Sequence, residues 1–402
     1  MSNVALLFPG QGSQMVGMGR DFWNNFDVAK KLFEEASDAI SFDLRKLCFE
    51  GSMADLTMTM NAQPALLTVS VIAYQVYMQE IGMEPAYLAG HSLGEYSALV
   101  CAGVLSFHDA IKLVRQRGII MHNADSDQKG TMAAISGIHL DTLQNICEQV
   151  STIERRPACV ACMNADQQFV ISGHRHSIQE IIKRTEVLRA KHSYIHVSGP
   201  YHSPMMQTAA EQFKVELDQY QYAHAIYPII SNVTAAPYES DRSVVDYLNM
   251  QMTMPVRWSE SMLYLVANGV TEVIELGSKH VLVSLMSKIT KRIVPYSLSQ
   301  PSDLLMLTNT QERKNKRITI RKKLLSELIV TALISRNYNP DSISYTQTVE
   351  PLFHQLQRAK EQVNNNEYEL SEEEINDALQ VCHSIIIAKK IPLDGTALID
   401  AI

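Results

Sequence analysis

Hydrophobic and polar positions alternate between two patterns over about the first 300 residues. The short unbroken apolar run 4–8 reads as a strand buried on both faces, as in a parallel sheet, and Val273-Ile274-Glu275-Leu276 reads as a further strand. Between them, apolar residues three and four apart predict helices at 21–35, 107–122, 205–219, 259–268 and 280–289. Asn61-Ala62-Gln63-Pro64 opens a further helix over 65–81, with proline near its first turn. Ser106 is placed to cap the helix from Phe107. A short strand is predicted at 226–230.

The periodicity changes after the polar break Asp125-Ser126-Asp127-Gln128-Lys129-Gly130. Strand 132–135, helix 140–150, strands 158–163 and 169–172, helix 177–188 and strand 194–197 follow. That is the β-α-β-β-α-β order of a ferredoxin-like unit, read as a module inserted into a larger α/β domain. Beyond Leu298 the character shifts again. Residues 312–323 carry seven Lys and Arg against one Glu, which reads as a solvated linker or a helix start. The rest reads as helices at 324–335 and 349–363, and a third capped by Ser371 with Glu374 completing a capping box and ending near Lys390. The expected organisation is a large subdomain from 1–127 and 199–300, a small one from 128–198, a linker from 301–323 and a helical extension from 324–402.

Composition narrows the function. With 402 residues, two to three domains are expected, and 46% hydrophobic with 19% charged residues is ordinary for a globular chain. A net charge of −8 argues against nucleic acid as the main partner, because phosphates select basic faces. The six cysteines have no framework spacing and read as reduced thiols of a cytoplasmic protein. Cys159-x-x-Cys162 has a metal-like spacing but lacks a second ligand pair and lies in an apolar run. The N-terminus has no basic segment of a signal peptide, and no apolar run approaches the ~20 residues of a membrane span.

The candidate chemistry sits at Gly90-His91-Ser92-Leu93-Gly94, between an apolar run and a helix-like run that begins at Glu95. A strand turning at once into a helix needs glycine beside the turn and pushes the central serine outward. The Leu93 amide at the helix start can donate to an oxyanion. A plain glycine-rich turn is the alternative. Serine needs a base, and His202 stands in a loop bracketed by Gly199, Pro200 and Pro204, where a surface histidine is the bland reading. Arg117 falls on the apolar stripe of its helix with Ala110, Leu113, Val114 and Met121. An inward cation needs an anion, so Arg117 is either a structural ion-pair partner or a receptor for a substrate carboxylate.

Gly10-Gln11-Gly12-Ser13-Gln14, Gly90-His91-Ser92-Leu93-Gly94-Glu95, Arg117-Gly118, Asn164, Val170-Ile171-Ser172-Gly173, His202-Ser203 and Gln251-x-x-x-Pro255-Val256-x-Trp258 follow one another in a familiar order and spacing. In these the chain resembles the malonyl-CoA:acyl-carrier-protein transacylases of fatty-acid and polyketide synthesis, over about residues 1–300. With its tail it is similar to the stand-alone, trans-acting acyltransferases of bacterial polyketide synthases. The resemblance implies an α/β fold: an α/β-hydrolase-like large subdomain with a parallel sheet, an inserted ferredoxin-like small subdomain and a C-terminal helical extension. It implies Ser92 as nucleophile and His202 as base, oriented by the backbone carbonyl of Gln251. The amides of Gln11 and Leu93 would form the oxyanion hole, and Arg117 would bind the malonyl carboxylate. His91, Asn164, Tyr201 and Gln251 would bind substrate. No metal or cofactor is implied, malonyl-CoA being a substrate, and the partner would be an acyl carrier protein. Gly199-Pro200-Tyr201 departs from the family's usual residues before the base, while Leu93 favours malonyl over methylmalonyl. Rival readings are a hydrolase clearing acyl groups from carrier proteins, a general esterase and a non-catalytic docking subunit. The tail, with its basic entry segment, reads as an element for docking an acidic carrier protein or the synthase, the alternatives being packing for stability or an oligomer contact.

Overall fold

The structure is a computed structural model that describes residues 4–308, except 126, 196–198 and 242, and some helical positions between 352 and 385. The chain divides into two units, Met1–Leu307 and Thr308–Ile402.

In the first unit, β1 (Val4–Phe8) is wholly buried. The helix expected at 21–35 is two helices, α1 (Arg20–Asn25) and α2 (Asp27–Ile40). They break at Phe26, whose extended backbone sets its ring 6.3 Å from Phe22. Two short helices absent from the sequence reading follow, α3 (Leu44–Glu50), capped by Asp43, and α4 (Met53–Thr57), capped by Ser52. The long helix α5 (Thr59–Glu80) starts six residues before the expected 65. Pro64 is therefore interior to it, where it cannot donate to the carbonyl of Met60. That carbonyl instead accepts from Arg115 Nη1 at 2.7 Å.

The chain then forms β2 (Tyr87–Gly90), α6 (Leu93–Cys101) and α7 (Phe107–Asn123), with Ser106 accepting from the Asp109 amide at 3.1 Å. The next elements are β3 (Gly130–Ser136), α8 (Leu140–Glu154), β4 (Ala158–Ala165), β5 (Gln168–His174), α9 (Arg175–Val187) and β6 (Lys191–Tyr194). The last strand precedes the expected 194–197, of which 196 and 197 lie outside the described residues. It is an edge strand exposed at every position, so no apolar pattern marked it.

A short 3₁₀ turn at Pro204–Met206 precedes α10 (Gln207–Leu217), which replaces the single helix expected at 205–219. The strand expected at 226–230 shrinks to β7 (Ile229–Ile230), since Pro228 has no amide to donate to a ladder. Then come α11 (Ser243–Gln251), which was not expected, α12 (Trp258–Ala267), β8 (Glu272–Leu276), α13 (Val281–Ile289) and β9 (Val294–Leu298), also not expected.

The large sheet has the order β7-β2-β1-β8-β9, every neighbouring pair parallel. The chain leaves β1 toward β2 on one side and crosses from β7 to β8 on the other side of β1, so a crevice opens at the carboxyl ends of these strands. The second sheet, β4-β5-β3-β6, is antiparallel and has the strand order of a ferredoxin-like unit. It carries its own apolar core, including Ile135, Leu143, Ile171, Ile178 and Ile181. It joins the large unit where Val256 exchanges backbone bonds of 2.9 Å with Ala161 and Met163.

In the second unit the described positions between 352 and 358 and between 377 and 385 are helical, with Cys382 and Ile385 buried. The linker expected at 312–323, the helix expected at 324–335 and the Ser371–Glu374 capping box lie outside the described residues.

Candidate active site

The β2–α6 connection is too tight for side chains on its flanks. A Cβ at Gly90 would lie 1.9 Å from the Gly94 carbonyl carbon, and one at Gly94 would lie 1.9 Å from the Phe8 carbonyl oxygen. Glycine at both lets the turn close and brings it against the end of β1. Ser92 at the tip has φ 50° and ψ −104°, a strained backbone typical of a nucleophile raised on a turn. The helix begins at Leu93, two residues before the expected Glu95.

Ser92 Oγ lies 2.8 Å from His202 Nε2. His202 also has positive φ, 56°. Its Nδ1 lies 2.7 Å from the backbone carbonyl oxygen of Gln251, which fixes Nδ1 as the protonated nitrogen and leaves Nε2 to accept. Burial, and after it the charge of Arg117, push the imidazole down to about 3. His202 is therefore neutral at neutral pH.

Arg117 is 1% exposed. Its Nη1 donates to Gln63 Oε1 at 3.0 Å and its Nη2 to Gln251 Oε1 at 2.9 Å, while Nη2 lies 3.5 Å from Ser92 Oγ. The guanidinium also lies 5.2 Å from the Tyr96 ring centre. Among the described residues it belongs to no ion pair, and its Nε has no hydrogen-bond partner. A buried cation held only by neutral groups is costly unless a ligand brings the anion.

These groups open on a cavity of about 180 Å³ lined by Gln11, His91, Leu93, Asn164 and Tyr201, with Met121, Cys162 and Val170. His91 Nε2 lies 2.9 Å from Asn164 Oδ1, and burial pushes its imidazole down as well. Tyr201 Oη is 2.8 Å from Thr59 Oγ1, which accepts from Gln11 Nε2 at 3.3 Å. Gln251 stands behind Arg117 and is wholly buried, not on the cavity wall. Cys159 and Cys162 have thiols that burial pushes up to about 12, and among the described residues no cluster could hold a metal.

Polar residues of this site escaped the sequence reading, Gln63, Asn232 and Tyr238 among them. Gln63 lies in the part of α5 that proline had excluded. Asn232 accepts from the Ser92 amide at 2.7 Å and donates to the Gly90 carbonyl at 2.6 Å, tying the turn to the end of β7. Glu95 and Tyr238 lie beneath them. Asn232 and Tyr238 carry no local signature, and Glu95 entered the sequence reading only as the end of the motif at the turn.

A family model described as an acyl transferase domain matches residues 5–304. The chain belongs to the acyl transferase family. A malonyl CoA-acyl carrier protein transacylase of Bacillus subtilis is 58% identical over 392 residues, 98% of both chains. Another, of Escherichia coli strain K12, is 37% identical over 303 residues, 75% of this chain and 97% of the relative. The first alignment therefore runs on into the second unit, whereas the second is about as long as the first unit. Among solved structures, FabD from Acinetobacter baumannii has TM-score 0.74 and 36% identity, covering 77% of this chain and 98% of its own. A malonyl-transacylase in complex with its type II PKS acyl-carrier protein has TM-score 0.74 and 33% identity, covering 76% and 98%. In this acyl transferase, no helix among the described residues is long and apolar enough to cross a membrane.

Proposed function

We propose that the chain transfers a malonyl group from malonyl-CoA to the phosphopantetheine thiol of an acyl carrier protein. The observation that carries this reading is Arg117, a buried guanidinium beside the nucleophile with neutral partners only. A carboxylated acyl group supplies the missing anion, and the planar fork suits it. An esterase or hydrolase of neutral acyl groups has no use for such a receptor.

The cycle is ping-pong. His202 Nε2 takes the Ser92 proton as Oγ attacks the thioester carbonyl. The amides of Gln11 and Leu93 hold the oxyanion, each donor contributing about 3 kcal/mol. Collapse breaks the C–S bond, and the CoA sulfur leaves with the proton from His202. In the second half the carrier thiol gives its proton to His202 and attacks the malonyl ester, and Ser92 Oγ recovers the proton. The malonyl carboxylate also offsets the Arg117 charge that depresses His202, so the imidazole becomes more basic with substrate bound. The cycle uses no metal or cofactor. We place the reaction in the cytoplasm, in polyketide or fatty-acid synthesis, and Leu93 and Tyr201 favour malonyl as the extender. We assign residues 1–127 and 199–300 to the nucleophile-bearing subdomain, 128–198 to the small one, 301–323 to a linker, and 324–402 to docking.

Intact-protein mass after brief mixing with malonyl-CoA tests the reading. Wild type is expected to gain one malonyl group, Ser92→Ala none, and Arg117→Ala to lose preference for malonyl over acetyl. No gain, with malonate accumulating, would make the chain a hydrolase.

A further inference from the structure

Under the nucleophile's turn lies a carboxyl group that the transfer chemistry leaves unused. Glu95 is 1% exposed, on the first turn of α6. Its Oε1 accepts from Tyr238 Oη at 2.5 Å and from the Asn232 amide at 3.2 Å. Its Oε2 accepts from Gln251 Nε2 at 2.5 Å. Both oxygens thus face donors.

The Gln251 amide is planar, with donors at one end and an acceptor at the other. Its Nε2 faces Glu95 and the Ser92 carbonyl, the latter at 3.1 Å. Its oxygen must then face the opposite way, and there it accepts from Arg117 Nη2 at 2.9 Å. A flipped amide would put donors against Arg117, which has only donors itself. The Ser92 carbonyl also accepts from the Glu95 amide, and Asn232 Oδ1 also accepts from the Ser92 amide, so neither is reserved for Gln251.

We infer that Glu95 is a positioning residue for carboxylate recognition: by accepting from Gln251 Nε2 it sets the orientation of that amide, which in turn aims Arg117 at the carboxylate of the incoming acyl group. The inference rests on the malonyl-transfer reading. Glu95 reaches the acyl group only through Gln251 and Arg117, so its loss weakens selection for a carboxylated donor more than the bond-making step. Glutamine at this position has one acceptor where the site presents donors to both oxygens. Its own amino group must oppose either the Asn232 amide or Gln251 Nε2.

The test uses the full chain as wild type, Glu95→Gln and Tyr238→Phe, mixed with malonyl-CoA or acetyl-CoA over a concentration series. The rate of acyl-enzyme formation is read by intact mass, and folding by urea denaturation. Glu95→Gln is expected to need about tenfold more malonyl-CoA for half-maximal acylation, as for one lost buried hydrogen bond. Its maximal rate, and its acylation by acetyl-CoA, should stay within about threefold of wild type, so the malonyl-to-acetyl preference drops about tenfold. Equal losses with both donors would make Glu95 a prop for the turn and overturn the inference, as would an unchanged preference. Should Glu95→Gln not fold, Tyr238→Phe carries the test. Removing one donor to Glu95 should lower the preference about threefold, and no change would overturn the inference. A wild-type chain that takes no malonyl group removes the underlying reading, and the inference with it.

Discussion

His202 Nδ1 lies 2.7 Å from the backbone carbonyl oxygen of Gln251, so the base is oriented by an atom that side-chain substitution leaves in place. The Gln251 side chain does separate work, holding Arg117 at 2.9 Å. Gln251→Ala should therefore divide recognition from chemistry. The malonyl-CoA concentration for half-maximal acylation should rise tenfold or more, by about 1.5–3 kcal/mol, while the maximal rate falls less. A variant that loses only its maximal rate would show that the side chain acts on the base instead.

The pH dependence of acylation follows from the Arg117 charge. The imidazole must be neutral to accept the Ser92 proton, so the rate falls as pH drops through the folded pKa of His202. Burial and then Arg117 depress that value to about 3. Wild-type acylation should thus hold level as pH falls through about 6.5, where an ordinary histidine titrates. In Arg117→Ala one depressing cause is gone, and the acid limb should move to higher pH. Single-turnover acylation with acetyl-CoA, which lacks the carboxylate, compares the two enzymes directly. Coincident profiles would mean that the two charges do not sense each other.

Residues with local signatures were legible in the sequence. Gly90 and Gly94 mark a turn that only glycine closes, His202 sits in a loop with Pro200 and Pro204, and Arg117 breaks an apolar stripe. Residues acting through long-range bonds were not. Asn232 meets Ser92 across 140 positions and Glu95 meets Tyr238 across 143. Gln63 was hidden by Pro64, because the carbonyl that proline orphans finds Arg115 only in the fold. The strands misread or missed share a cause. β6 and β9 are edge strands, and β7 has two residues, so none has the apolar run that marks β1.

Asn232 should be the residue on which the turn depends most. Its carboxamide satisfies the Ser92 amide and the Gly90 carbonyl at once and is 1% exposed. Asn232→Ala leaves both unpaired and should cost about 2–4 kcal/mol in urea denaturation. Acylation should fall with it, because the strained Ser92 backbone loses its restraint. Asn232→Asp keeps the acceptor for Ser92 but not the donor for Gly90, so it should retain more acylation than alanine. Equal acylation by the two variants would show that the Ser92 contact is not the important one.

Glu275 predicts a pH dependence of stability. It is buried at the end of β8, where its two oxygens accept from the Val281 and Val283 amides at 3.1 and 2.9 Å and so cap α13. Burial pushes its carboxyl from 4.5 up to about 7. A folded pKa above the unfolded one means that its contribution is full below about 4.5 and is lost as pH rises through about 7. The difference amounts to about 3 kcal/mol at most. Between pH 5 and pH 8, Glu275→Gln should therefore lose less stability than wild type. Urea denaturation at the two pH values checks this, and parallel losses would contradict it.

Tyr201 should limit the size of the acyl group. Its ring is 4% exposed and walls a cavity of about 180 Å³ beside Ser92, and its hydroxyl is held 2.8 Å from Thr59 Oγ1. A ring tethered at its far end cannot swing aside for a branch on the acyl α-carbon without breaking that bond. Tyr201→Ala removes the wall, so the preference for malonyl-CoA over methylmalonyl-CoA should fall about tenfold, within the ~1–3 kcal/mol that a pocket can charge for one methyl group. Tyr201→Phe keeps the ring and loses the tether. It should hold most of the preference and cost about 1 kcal/mol of stability. Competition between the two donors, read as the ratio of acyl-enzyme masses, separates the cases. If alanine leaves the ratio unchanged, the α-carbon does not face Tyr201; if phenylalanine relaxes it as far as alanine, the tether to Thr59 is the true constraint.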